Sequence, residues 1–312
     1  WLLAELILLT MVLLVPAFHR PGYWLQLGPL YFAVAALALA ETPVMLTGGI
    51  DLSIGSVTVF ASVVIGALWH DLGLPIGWAV AGGVLAGLLA GISNGVLVNA
   101  GVMPLVATLA TRELFRGLAL TLSGDTAVSR FPPILRTVWH SAPLGVPLPV
   151  LVLALLFVVT YLVVHHTWLG RMVYAIGDNE RAARFAGVPV QRVKLGLYTG
   201  CGLVAGVCGA SLVMKYGAAK ADAEPVLDLL AIACVVMGGI RIVGGAGNVA
   251  GTLLGTVTVV ALLAGMGSIA SAWRDTLTGA VLVVVAVVNE AAARWSQITS
   301  RKGLKTPSKT EA

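Results

Sequence analysis

Charge is what this sequence has least of. Asp, Glu, Lys and Arg make up 11% of its 312 residues, where soluble domains carry ~25%. Hydrophobic residues make up 58%, and the mean hydropathy is +0.97. That balance excludes a water-facing globular fold, which could not hide so much apolar surface. The apolar runs are continuous and do not alternate with polar residues, which argues against a transmembrane barrel. Cysteine is scarce: Cys201, Cys208 and Cys234 all sit in apolar segments. They read as small core residues, with no disulfide framework and no metal site. Paired His/Asp metal spacing and a Ser-His-Asp arrangement are both lacking, which leaves an intramembrane enzyme without residues to build on. His165 and His166 end an apolar segment and read as interfacial residues. The net charge of +5 lies in loops and the C-terminal tail, not in a basic stripe with interleaved aromatics, so it is no nucleic-acid signal. A phosphate-binding loop is missing too. The nearest Gly-rich stretch, Gly244 to Thr252, has no Lys to hold a phosphate.

Glycine, by contrast, is plentiful, with 37 residues. That suits membrane helices packed backbone to backbone. Ten apolar segments stand out, at about 2–18, 28–47, 51–69, 75–98, 104–122, 147–165, 193–214, 226–240, 247–266 and 273–289, with boundaries good to ~2–4 residues. The expected fold is an all-α polytopic membrane protein of about ten transmembrane helices. Segment 226–240 is short, and Gly-interrupted segments of this kind mark broken or re-entrant helices. With both termini cytoplasmic, thirteen Lys and Arg fall on or near the inner face and six outside, as the positive-inside rule asks. The membrane-spanning body covers 1–295, with its largest inner loop at 166–192, and a polar tail at 296–312 reads as disordered. The first segment has no clear cleavage site and reads as a retained span. The longest outer loop, about 123–146, is Pro-rich.

Two Gly-rich stretches echo one another. Met45 to Gly55 resembles Val235 to Gly245, with Asp51 where the other has Arg241. If the stretches are repeats, their breaks meet and Asp51 pairs with Arg241. Other polar groups lie inside apolar segments, where ionisable residues are expensive. Glu41 lines a pathway or bonds a neighbouring helix, and Pro43 beside it kinks its segment. Asp51 caps the helix that restarts after Gly48-Gly49, or sits at a gate with Ser53. Asn94 and Asn99 bridge helices or line the pathway. Arg112 and Glu113 lie near the inner face and pair with other helices.

The stretch GDNERAARFAGV, 177–188, breaks the apolar pattern with Asp178, Glu180, Arg181 and Arg184. Asp178 or Asn179 can cap a helix, and Glu180 in the first turn suits the helix dipole. Ala182, Ala183, Phe185 and Ala186 form an apolar face, with Arg181 and Arg184 on another. Gly187 and Pro189 stop the helix. Two readings follow: an interfacial helix on anionic lipid, or a docking helix for a soluble partner with Phe185 as its knob.

Several stretches together resemble the permease subunit of ribose-type bacterial ABC sugar importers. They are TGGIDLSIGS (47–56), GISNGVLV (91–98), ATL followed by Arg116-Gly117, HHTWLGRMVYAIGDNERAARFAGV (165–188) and MGGIRIVGGAGNVAGTLLG (237–255). The resemblance covers nearly the whole chain. It implies a multi-pass protein of the bacterial inner membrane that pairs with a second permease. It also implies a cytoplasmic ATP-binding-cassette ATPase as the energy source and a periplasmic binding protein that delivers a monosaccharide or sugar-like molecule. The permease itself would carry no catalytic residue, metal or cofactor. Asp178, Asn179, Glu180, Arg181, Arg184, Phe185 and Gly187 would form the coupling helix. Glu41, Asp51, Ser53, Asn94 and Arg241 are the candidates for pathway or gate. Glu41 departs from the family pattern, and with Trp273-Arg274-Asp275 it hints away from plain ribose. The competing reading is an ion-coupled secondary transporter, which would need a titratable residue such as Glu41 within the membrane.

Overall fold

In the computed structural model, residues 2–124, 126–223, 226–269 and 279 are described. Apart from Gly279, the tenth apolar segment, the Trp273-Arg274-Asp275 run and the tail at 296–312 lie outside the described residues.

The described chain is almost entirely helical. It runs α1 Leu2–Leu14, α2 Pro21–Leu30, α3 Phe32–Leu46, α4 Ile54–His70, α5 Ile76–Asn99 and α6 Pro104–Ser123. Then come α7 Pro133–Trp139, α8 Leu148–His166, α9 Trp168–Asp178, α10 Glu180–Phe185, α11 Val190–Tyr216, α12 Leu227–Met237 and α13 Val249–Ile269. One two-residue antiparallel ladder, β1 Val128–Ser129 with β2 Ala218–Ala219, ties the segment after α6 to the end of α11. Pro opens α2, α6 and α7, where its missing N–H costs nothing.

Among the described residues, three helices are long and apolar enough to cross a membrane: α5, α8 and α11. A fourth span arises if the bent pair Gly22–Leu30 and Phe32–Leu46 counts as one. The sequence suggested a kink at Pro43. Pro43 stays inside α3, and the sharp bend of 73° lies between α2 and α3. Pro29, in the last turn of α2, removes a backbone donor just before that bend. α4, α12 and α13 are shorter apolar helices, and both α4 and α13 begin after Gly-rich breaks.

α11 is the most buried long helix, and its most extensive contact is with α5. The reason is a stripe of glycines on each. A methyl group on Gly87 would come within 2.6 Å of Gly202 O and Gly206 Cα. Gly91 and Gly95 face Gly202 and Leu195 in the same way. Spacing of four residues puts these glycines on one face, so the two backbones approach directly, as in small-xxx-small membrane packing. Cys201, Cys208 and Cys234 are buried free thiols in this core.

Candidate functional site

The two Gly-rich breaks meet. α3 and α12 end in the same turn. Gly48 N–H donates to Met45 O and Gly49 N–H to Val44 O; Gly239 N–H donates to Val236 O and Ile240 N–H to Val235 O. Gly48 and Gly239 take φ of +77° and +84°, the left-handed residue that such a turn requires and that glycine supplies without a Cβ clash. This geometry pairs Gly48 with Gly239, one residue out of the register that the sequence echo suggests. Asp51 and Arg241 are therefore not equivalent positions. Nor do they pair: Arg241 is exposed, while Asp51 is buried and held elsewhere. Between the breaks, Gly245 N–H donates to Leu46 O at 2.9 Å.

Asp51 is the hub of a buried polar network. Its carboxylate accepts from Ser53 N at 2.9 Å, from Ser53 Oγ at 2.6 Å, and from Asn94 Nδ2 at 3.3 Å. Asn94 also donates to Ser53 Oγ at 2.7 Å and accepts from Thr111 Oγ1 at 2.7 Å. Thr108 Oγ1 reaches Ile50 O at 3.1 Å. Asp51 thus closes the turn ahead of α4 instead of capping the helix's first turn itself. Through Asn94 it joins that turn to α5 and α6. Glu41 is fully buried; Oε1 accepts the Asp51 backbone N–H at 2.7 Å, and Oε2 takes the Cys201 thiol at 3.6 Å. One oxygen holds the break and the other ties α3 to α11, and neither contact supports the ion-coupled alternative. Asn99, at the exposed end of α5, donates to Gln191 O at 2.8 Å.

The charged stretch folds as a capped helix. Asn179, not Asp178, is the cap: its Oδ1 accepts from Ala182 N at 3.0 Å. Glu180 accepts from Arg184 Nη2 at 2.9 Å and from Lys194 Nζ at 2.7 Å, which braces α10 against α11. The Lys194 hydrogen bond, helped by Arg184, holds the Glu180 carboxyl below the usual glutamate range. Gly187, at φ +84°, ends the helix. The expected apolar face is narrower than the sequence suggested. Only Ala183 is buried, while Ala182 and Ala186 are exposed and Phe185 is 94% exposed. Arg181 and Arg184 are exposed as well.

α9 forms within the stretch that the sequence presents as the inner loop. It buries Gly170, Val173 and Ile176, spaced three apart, and exposes Trp168 and Arg171. Its end forms the third part of the break junction. A methyl on Gly177 would strike Leu46 O and Gly245 N, the two partners of the hydrogen bond that joins the breaks. Gly245 in turn faces Asp178, with a Cβ there 3.0 Å from Asp178 N. Tyr174 donates to Gly247 O at 2.8 Å, and His165 Nε2 accepts from Val249 N at 3.3 Å. α10 therefore hangs from a backbone junction shared by both broken helices.

Arg112 and Arg116 lie near the middle of α6, not in a loop at the inner face. Taking these two from the thirteen leaves eleven basic residues against six. Arg112 Nε donates to Asp228 Oδ2 at 2.6 Å, and its Nη1 to Glu113 at 2.9 Å. Asp228, at the start of α12, lies against Gly55, where a Cβ would be 2.9 Å from Asp228 N. Two cavities open along this α4–α6 face. One, of about 450 Å³, lies at the far ends of α4 and α6 beside β1. The other, of about 100 Å³, lies between the start of α4, the middle of α6, Ala221, Asp222, Ala223 and Asp228.

The family described as branched-chain amino acid transport system/permease component matches residues 27–286. Curated relatives agree on transport. The chain is 34% identical to the ribose import permease protein of Bacillus subtilis over 287 residues, covering 91% of this chain and 89% of that protein. It is 32% identical to the ribose import permease protein of Escherichia coli K12 over 262 residues, covering 81% of each. It is 34% identical to the autoinducer 2 import system permease protein of Yersinia enterocolitica over 266 residues, covering 82% of this chain and 80% of that one. A multi-pass helical membrane protein with paired Gly-rich breaks and this set of relatives belongs to the permease-component family, in its ribose-type ABC importer group.

Proposed function

We propose that this chain is the membrane-spanning permease of an ATP-driven importer that moves a monosaccharide or sugar-like molecule from periplasm to cytoplasm. It sits in the bacterial inner membrane as ten spans with both termini in the cytoplasm. A soluble ATPase supplies the energy, a periplasmic binding protein delivers the substrate, and a second permease copy or a related permease completes the pair. α10 is the seat of the ATPase. The observation that carries this reading is Phe185: a large apolar side chain, 94% exposed, on a six-residue helix capped by Asn179 and braced through Glu180 to Lys194. A helix resting on lipid would need a broader apolar face than one phenylalanine. A knob for a protein groove needs only that. The ribose and autoinducer-2 relatives support a sugar-like substrate.

The experiment replaces Phe185 and Arg184 together, with Ser and Glu. Co-purification with the cognate ATPase and ATP-dependent uptake of labelled pentoses and hexoses are then measured in vesicles, with leucine and isoleucine as competitors. Loss of both signals, with the permease still inserted, is expected. Undiminished ATPase capture contradicts the role of α10, and inhibition by leucine without any sugar uptake contradicts the substrate class.

A further inference from the structure

We infer that the notch formed by Arg112, Arg116, Asp222 and Asp228 is where the permease reads the hydroxyl groups of a neutral, sugar-like solute. This deepens the proposed function and rests on it. Three features carry the inference.

The first is unused hydrogen-bonding capacity. Arg112 spends Nε on Asp228 and Nη1 on Glu113, and among the described residues its Nη2 has no partner. Among the described residues, Asp228 uses only Oδ2. Arg116, exposed into the notch, has no ion pair or hydrogen bond among the described residues. Asp222 holds Lys220 through Oδ2 at 2.8 Å and lines the same notch. Guanidinium groups only donate and carboxylates only accept. Interleaved in one notch, they match a polyol, whose hydroxyls do both.

The second is charge. Among the described residues, two arginines and two aspartates line the notch, and their formal charges cancel. An anion or a cation would meet as much repulsion as attraction, whereas an uncharged solute meets neither and gains charge-assisted hydrogen bonds.

The third is shape. Gly55 and Ser56 keep the α4 side small, and Val59 and Leu120 offer an apolar flank to the C–H face of a sugar ring. The notch, at about 100 Å³, admits one edge of a ring. The 450 Å³ cavity lies next along the same elements: Val63 and Ala67 follow on α4, Leu122 and Ser123 on α6, and Ala219 precedes Ala221. That volume falls within the ~300–1,000 Å³ of small-molecule sites. In the proposed orientation it faces the periplasm and feeds the notch.

Arg112 and Asp228 also hold α6 to α12, so the test uses the exposed pair. The permease is reconstituted with its ATPase and binding protein, and uptake is measured for labelled ribose, arabinose, xylose, rhamnose and galactose. The best-transported sugar is the probe. Arg116→Gln and Asp222→Asn are each expected to slow its uptake about tenfold, the loss of one charge-assisted hydrogen bond of about 1.4 kcal/mol. Arg116→Lys should restore part of the rate, and ATPase capture should not change. In a separate Arg116→Cys variant, saturating probe sugar should slow labelling by an impermeant maleimide. Uptake equal to wild type in both variants, or labelling that the sugar does not slow, overturns the notch while leaving the importer reading intact. A wild-type complex that imports none of the five sugars overturns the importer's sugar substrate, and the notch with it.

Discussion

Gly177→Ala separates the break junction from ordinary helix energetics. Gly177 lies in the last turn of α9. By helix propensity alone, Ala there stabilises by about 1 kcal/mol. The junction predicts the opposite. The new methyl would meet Leu46 O and Gly245 N, and would lie 3.0 Å from Gly245 Cα. All three are backbone atoms, and none can rotate away. Overpacking of this kind costs about 1–3 kcal/mol, and rigid obstacles put it near the top of that range. The net loss is then about 2 kcal/mol. Gly196→Ala is the control. Gly196 is a helical, exposed glycine with nothing within 4 Å of a Cβ, so only the propensity gain remains. The two substitutions differ by about 3 kcal/mol, which separates their thermal midpoints by roughly 6–12 °C. The assay is thermal unfolding of the purified permease in detergent, followed by ATP-driven uptake in vesicles. Gly177→Ala should lower the midpoint and slow uptake; Gly196→Ala should leave uptake unchanged. Equal, stabilising shifts would refute the junction, because they would mean that Gly177 touches nothing rigid.

Three further outcomes are expected. Phe185→Ser should change the permease's own stability by less than about 0.5 kcal/mol, as an exposed substitution does. It should weaken ATPase binding by about 2 kcal/mol if Phe185 is a hot spot, measured as affinity for the purified ATPase. Asn94→Ala removes a partner from Asp51, Ser53 and Thr111 and should destabilise by about 1–3 kcal/mol, read as the thermal midpoint; no change would show that the network adds nothing. Glu180 titrates below the usual range when α10 is folded, so its bracing is present above the ordinary glutamate pKa of ~4.3. It is lost as pH falls through the lower folded value. Backbone exchange in α10, corrected for intrinsic rates, should hold steady from about pH 7 to pH 5 and rise only below about pH 4. Glu180→Gln should remove that dependence.

The helix at 180–185 was legible because its signals are local. An Asn cap, an acidic first turn, a glycine stop and a proline two residues on each act within a few residues of chain. The apolar segments were legible for the same reason. α9 was not, although Gly170, Val173 and Ile176 carry a three-residue spacing, because Arg171 and Tyr174 interrupt its apolar run. α7 was hidden in a Pro-rich loop, where Pro133 opens the helix instead of breaking it. The partners of Asp51 and Arg112 are tertiary facts. Sequence spacing put Asp51 opposite Arg241, but a one-residue shift between two similar turns removed that correspondence. Asp228 and Gly177 carry no such local signal: one is a single acid in the first turn of a short apolar helix, the other one glycine among 37. Their importance comes from what other segments bring against them.

The most direct measurement is uptake of labelled sugar by sealed vesicles that hold the permease, its ATPase and its binding protein, with ATP on the nucleotide side or an imposed proton or sodium gradient. The importer account predicts uptake with ATP that persists when ionophores collapse every gradient and stops when the ATPase is omitted. Uptake driven by a gradient without the ATPase, and abolished by Glu41→Gln, would contradict it and make the chain an ion-coupled carrier.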